Sequence, residues 1–524
     1  MKAKNLKFRI MNINIKRFTE AIFIMLLMLP FTTYAQFSGG DGTENNPYII
    51  KTATELAQLA TLVNASNVDY NDKYYTLNND IDLSGYQTDT GWIPIGSTTN
   101  SYFKGVFDGN NKKITGLYIK RYGYVGLFGY IKNATLKNIR VIDADVTSTN
   151  DFAGIVVGGI DSNSNVLNCY STGSIISLYS SEYNFGYPYV GGVVGYNAGS
   201  VLNCYSFASV STSASAYGAP AGGVAGSNGG TLSNCYSTGS VSSSGYNCSG
   251  GVVGVNGGTV SNCYSTGSVS SSGSSAGGVV GINSAGHVSS CYSTGVISSS
   301  EGYAWAGKYA GGVVGYETYS QSGNGTLYHG LVWSCAALNP SINRVGNNDF
   351  YFGRVAGSED AFYTGTGTLR NNVAFSSMLN PDGNTTWSNM YDIDGEDISA
   401  QSINADGTLG GRFTSENGWT TQNGKLPGLF GNTVDMPEYL KSSTGIQELQ
   451  QQSGITVSPS PATDFLTVSG LQGNETLRFY NINGQLLLTR KASSETETVQ
   501  VSQLPSGIYL MKISNGQTMK WMKR

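Results

Sequence analysis

The chain has 524 residues, of which 12% are charged and 70 are glycine, with a formal net charge of −4. So few charges, about half the usual share, argue against an ordinary globular surface, and the absence of a basic excess argues against a nucleic-acid partner. Between Glu182 and Glu301 there is no Asp, Glu, Lys or Arg at all. A flexible Gly/Ser linker shares that composition, but it has no reason to repeat Val, Ile and Tyr at fixed register.

In chain order, the basic segment through Arg17 precedes the apolar run Ala21 to Phe31, and Thr33 and Ala35 are small. Such a run is too short to span a bilayer and fits a signal peptide over 1–35, cleaved between Ala35 and Gln36. No transmembrane segment is expected in the mature chain. Thr52 and Glu55 form a capping box ahead of Leu56, Leu59, Leu62 and Val63, which predicts a short helix. Short apolar strands broken by Gly and Asn follow, so 36–153 reads as an N-terminal cap with the first coils of a solenoid.

From 154 to 337 the text repeats. The phrase GGVVG, GGVAG at Gly222, leads to N-C-Y-S with the first glycine thirteen positions before the cysteine, at Gly191 and Cys204, Gly222 and Cys235, and Gly250 and Cys263. Cys169 and Cys291 hold the same place in neighbouring units, and successive members of these five cysteines lie 28 to 35 residues apart. A fixed core with loops of varying length marks a stacked unit. Three short strands per unit, namely GGVVG, V-x-N-C-Y-S and G-S-V-S, suit a parallel β-helix coil.

Val260 and Cys263 differ by three, so both face inward only if the chain turns between them. Asn tolerates the left-handed backbone that a sharp corner needs. Asn168, Asn203, Asn234 and Asn262 are therefore expected to stack as a corner ladder. Cys169, Cys204, Cys235, Cys263 and Cys291 are expected to form an inward stack of free thiols, since parallel side chains suit the disulfide torsion poorly. Tyr170, Tyr205, Tyr236, Tyr264 and Tyr292 then point outward in a row. They are candidate ligand-binding residues for sugar rings or a partner surface, or else they stack on one another and stiffen the rod.

Beyond 337 the period fades while charges and large aromatics return, which reads as terminal coils and a cap over 338–440. A linker over 441–454 leads to 455–524, where apolar and polar residues alternate and Asn483-Gly484 and Asn515-Gly516 suggest hairpin turns. The expected fold is all-β: a right-handed parallel β-helix with capping segments, then a small antiparallel β-sandwich.

Two resemblances attach to these motifs. GGVVG, its spacer and N-C-Y-S-T-G-S-V resemble the GLUG repeat of bacterial surface proteins, a repeat also found in adhesin-like and large exported proteins, some IgA-cleaving proteases among them. P-S-P-A-T-D-F, Y-N-I-N-G-Q and L-P-S-G-I-Y together resemble the type A C-terminal sorting domain of the Bacteroidetes type IX secretion system. Ser460 departs from that pattern, which usually has Asn there. The resemblance implies an outer-membrane secretion translocon as the partner of 455–524 and a secreted or cell-surface location.

Chemistry is thinly represented. The two histidines, His287 and His329, lie outside any H-E-x-x-H motif, so a zinc protease is not expected and no metal or cofactor site is read. Catalytic cysteines would need an adjoining base. Asp80, Asp82 and Asp108 are clustered carboxylates of a kind that can bind Ca²⁺ or run acid–base chemistry, but Asp80 and Asp108 sit in turn contexts, where Asp bonds nearby backbone N–H groups. A polysaccharide lyase or hydrolase would have to draw on these, Asp143 and Asp145 at one end, or Arg344, Arg354 and Asp360 at the other. The expectation is a non-enzymatic, adhesin-like rod that binds glycan or host matrix, with a polysaccharide-active enzyme or a plain surface spacer as alternatives.

Overall fold

The computed structural model describes residues 36–149, 151–178, 188–213, 219–245, 247–300, 309–321, 327–345, 351–358, 369–387, 393–441, 455–481, 485–514 and 518–524. The predicted signal peptide with Ala35, residue Asp360, and the Asn-Gly turns at 483 and 515 lie outside these residues. The chain forms two compact units, Met1–Lys441 and Ser442–Arg524.

The first unit is a parallel β-solenoid. An eleven-stranded sheet runs in chain order from Tyr48–Ile50 to Leu369–Arg370, one strand per coil. Two seven-stranded sheets stack beside it, one from Ala153–Gly154 to Tyr351–Gly353 and one from Phe128–Ile131 to Val314–Thr318. The strands that follow each N-C corner, such as Tyr205–Ser206 and Ser209–Ser213, build the remaining face. Register is held throughout: Val201, Leu232, Val260 and Val288 pair in succession and are fully buried.

The coil is more angular than three strands per unit would make it, because GGVVG is a bend between two sheets. Val190–Gly191 ends one strand and Val194–Asn197 begins the next, with Val193 and Val194 both buried. The second glycine makes this possible. A Cβ on Gly251 would collide with the carbonyl of Gly278 and with Ser265 Oγ across the lumen, and Gly223 stands in the same relation to Gly251 and Ser237. The repeated Gly and the repeated Ser of N-C-Y-S are thus partners in space. Gly251→Ala is expected to destabilise by about 1–3 kcal/mol through overpacking, read as a lower urea midpoint.

The ends are closed as local sequence dictates. Thr52 accepts the Glu55 amide at 3.2 Å and Glu55 accepts that of Thr52 at 3.0 Å, starting the helix Ala53–Asn64. Its buried face is Leu56, Leu59, Ala60, Leu62 and Val63. Asn64 fixes its far end, accepting from Gly96 and Ser97 and donating to Pro94. At the other end a short helix, Ala400–Asp406, follows the last solenoid strand and buries Ile403.

The second unit is the expected antiparallel sandwich. Thr456–Ser458, Phe465–Ser469 and Thr496–Gln500 make one sheet; Thr476–Asn481, Leu486–Lys491, Gly507–Ile513 and Thr518–Lys523 make the other. Leu466, Val468, Phe479, Met511 and Trp521 fill the core. Among the described residues no helix is long and apolar enough to cross a membrane.

Candidate functional site: corner column, tyrosine ladder and flanking groove

The Asn corner is a left-handed column. Asn168, Asn203, Asn234 and Asn262 have φ of 54°, 57°, 54° and 52°, and Asn138 precedes them at 55°. Each side-chain amide donates to the previous rung: Asn168 to Asn138 at 3.3 Å, Asn203 to Asn168 at 3.1 Å, Asn234 to Asn203 at 3.2 Å. Asn262 breaks the run by donating to the Asn417 carbonyl at 3.3 Å, which leaves Asn234 Oδ1 without a donor. Ser290, Ser334 and Asn371 continue the column with φ of 50°, 54° and 53°.

Inside that corner Cys169, Cys204, Cys235, Cys263, Cys291 and Cys335 are free and buried. The Cys169, Cys204 and Cys263 amides each donate to the next sulfur at 3.4 Å. Burial is the largest influence on every one of these thiols and pushes Cys169 and Cys335 well up, so we assign the neutral thiol to the whole stack. The seventh cysteine, Cys248, lies outside the column, and burial raises it to about 12.

Tyr170, Tyr205, Tyr236, Tyr264 and Tyr292 leave the solenoid on one side as a ladder, with successive centroids 4.8, 4.7, 4.7 and 5.1 Å apart and planes within 8°. Two features differ from an open binding strip. Each ring face is occupied by the next ring, and Arg140 stands over Tyr170, so edges rather than faces look outward. In addition, Tyr264 is 5% exposed and Tyr292 is fully buried. Their cover is the chain's own 407–440 segment, which runs back along the flank instead of only closing the end.

Trp419 packs on Tyr264 and Tyr292, Phe413 meets Tyr292 edge-on, and Phe430 lies by Tyr205 and Tyr236. Tyr292 donates its hydroxyl to Pro427 O at 2.7 Å, while Tyr439 donates to Thr294 O and Leu338 O. Burial pushes the Tyr205, Tyr236, Tyr264 and Tyr292 phenols upward, so they stay neutral.

A second, interior amide ladder has no counterpart in the sequence reading. Asn197 donates to Asn228 at 2.6 Å, Asn228 to Asn256 at 2.8 Å, and Asn256 to Asn283 at 2.7 Å. Asn283 ends the run on the Glu317 carboxyl at 3.0 and 2.8 Å. All five side chains are at most 3% exposed.

Four of the acidic candidates, Asp80, Asp82, Asp108 and Asp143, serve turns and pairs. Asp80 accepts the Lys113 amide, Asp82 that of Ser84, and Asp108 that of Asn110 together with Asn138 Nδ2 and Lys137. Asp143 has φ of 53° and shares two hydrogen bonds with the Thr172 hydroxyl. Arg354 pairs with Asp397. His287 is exposed on the strand His287–Ser289. Among the described residues no cluster of His, Cys, Asp or Glu is placed to hold a metal.

Between the corner column and the returning segment lies a groove of about 470 Å³. Ser261, Ser289 and Trp333 form its solenoid side, Asn371 one end, and Arg412 and Asn417 the opposite wall. Arg412 is held by Asn371, donating from Nε to the backbone oxygen and from Nη2 to Oδ1, both at 2.8 Å. Trp333 is 52% exposed.

Residues 456–524, the antiparallel sandwich, match the family described as the Secretion system C-terminal sorting domain. The chain carries a type IX sorting tail. That tail places the protein in an export route to the cell surface or medium, and implies contact between the sorting domain and the secretion machinery. The GLUG motif matches residues 186–211, at the first full GGVVG unit.

Similar proteins match part of the chain. A protein of Evansella cellulosilytica, provisionally named a Gly-rich membrane protein, is 33% identical over 156 residues, 27% of this chain and 17% of its own length. Halomucin of Haloquadratum walsbyi is 32% identical over 148 residues, 26% of this chain and 2% of its own. The chain therefore spans less than a fifth of either relative. A solved structure from Bacteroides ovatus, provisionally titled an immunoglobulin A1 protease, aligns with TM-score 0.42 at 22% identity, over 56% of this chain and 95% of that one.

Proposed function

We propose that the protein is a non-catalytic, adhesin-like binding rod that, once exported, holds glycan or host-matrix surfaces. The observation that carries this reading is the sorting domain at 456–524 joined in one chain to a long solenoid whose flank is built from hydroxyls, amides and aromatic rings. A rod of this kind presents many weak, uncharged contacts in series, which suits extended polymers better than compact charged ligands. The non-catalytic part rests on the carboxylates: Asp80, Asp82, Asp108 and Asp143 bond turn amides and neighbouring side chains, and none of these four lines the groove.

The full chain is expected to be retained on a panel of immobilised polysaccharides and matrix proteins, and to release no new reducing ends from any bound polysaccharide. Reducing-end release would turn the reading into the polysaccharide-active enzyme. Retention on nothing in the panel would favour the structural spacer.

A further inference from the structure

We propose that the groove beside Trp333 is a binding site for a run of a neutral, extended polysaccharide, with the Trp333 indole as its stacking platform. This rests on the binding-rod reading and gives it a place and a ligand class. Ser261, Ser289 and Trp333 are successive partners in the eleven-stranded sheet and sit on its outer face, one per coil. Coils repeat at about 4.8 Å, the strand spacing. That is close to the advance of one hexose along an extended β-linked chain, so each sugar meets a fresh rung.

Ring geometry favours Trp333 over the tyrosines. Faces stack on sugar C–H groups, and the ladder has spent its faces on itself. Trp333 has no stacked ring among the described residues, its preceding register neighbour is the small Ser289, and half of its surface is open to solvent. The indole therefore has room beside it for a sugar.

The opposite wall supplies fixed polar groups. The Arg412 side chain is 11% exposed, and its guanidinium is locked by Asn371 and by a 3.4 Å bond to Leu409 O. Further N–H donors remain on that fork for sugar oxygens. Glu396 lies 3.8 Å from Arg412 and answers its charge, so an acidic sugar is not required. At about 470 Å³ the groove has the size of a small-ligand site, with one aromatic platform among convergent polar groups.

The test uses the full chain with hexasaccharides of β-1,4-linked glucose, xylose and N-acetylglucosamine, followed by calorimetry. The wild type is expected to bind at least one of them. Trp333→Ala, which removes the platform, and Ser289→Tyr, which fills the space beside it, should each weaken that binding at least ten-fold without moving the melting temperature. Equal affinity in both variants would overturn the groove while leaving the binding-rod reading intact. If the wild type ignores all three hexasaccharides but is retained on the wider panel, the neutral-polysaccharide assignment falls alone; if it is retained on neither, both fall.

Discussion

Asn256→Leu is expected to lower stability by about 2–4 kcal/mol, seen as a fall in the urea midpoint. The side chain is fully buried and works in both directions. Its Nδ2 supplies Asn283 Oδ1 at 2.7 Å, and its Oδ1 receives Asn228 Nδ2 at 2.8 Å and the Gly258 amide at 3.2 Å. Leucine is near in volume, so the change removes polar bonds with little loss of packing. Asn283 Oδ1, itself fully buried, then faces an apolar wall and loses its donor, and one such orphan costs about 1–3 kcal/mol. Asn228 keeps its bonds to the Gly230 and Thr259 carbonyls, which limits the damage upstream.

The outer corner ladder provides the contrast. Asn203→Gly should cost less than about 1 kcal/mol, because glycine adopts the φ of 57° freely and the partners left behind are exposed at Asn168 and only half-buried at Asn234. Equal losses at the two positions would mean that burial does not decide the value of these amide ladders.

The same two ladders show what could be read from sequence and what could not. Asn262 and Cys263 were legible because Val260 and Cys263 cannot both face inward without a corner, a purely local constraint. The interior Asn256 follows VVGV, and nothing local says that an Asn before Gly-Gly turns into the core. Its placement depends on Asn228 and Asn283 arriving in register from neighbouring coils. GGVVG has the valines of a strand. Its role as a bend follows from the lumen, where Gly251 meets the Ser265 side chain of the same coil.

The groove escaped for a related reason. Trp333 stands in a worn repeat, and Arg412 reaches it only through a contact between segments far apart in the chain. Phe413, Trp419, Phe430 and Tyr439 were visible as returning aromatics, but their target was not. Alternation turns the tyrosines away from the cysteines, but outward from a strand is not the same as exposed to solvent.

Trp419→Ala tests that last distinction. The indole is 2% exposed and touches Phe413, Tyr264 and Tyr292 at centroid distances of 4.9, 6.2 and 5.8 Å. Truncating a buried Trp removes about 3–5 kcal/mol, and here the loss falls on the docking of 407–440 instead of on the coil ladder. Limited proteolysis should therefore cut within 407–440 while the coils stay protected. Tyr292→Phe, which removes only the hydroxyl bond to Pro427, should cost about 0.5–1.5 kcal/mol and leave the segment closed. Undocking also withdraws Arg412 and Asn417 from the groove wall. Trp419→Ala and Trp333→Ala should then both weaken polysaccharide binding, the first with proteolytic opening and the second without it. If Trp419→Ala opens the segment and binding is unchanged, the returning segment is only a cover for the ladder and contributes nothing to the site.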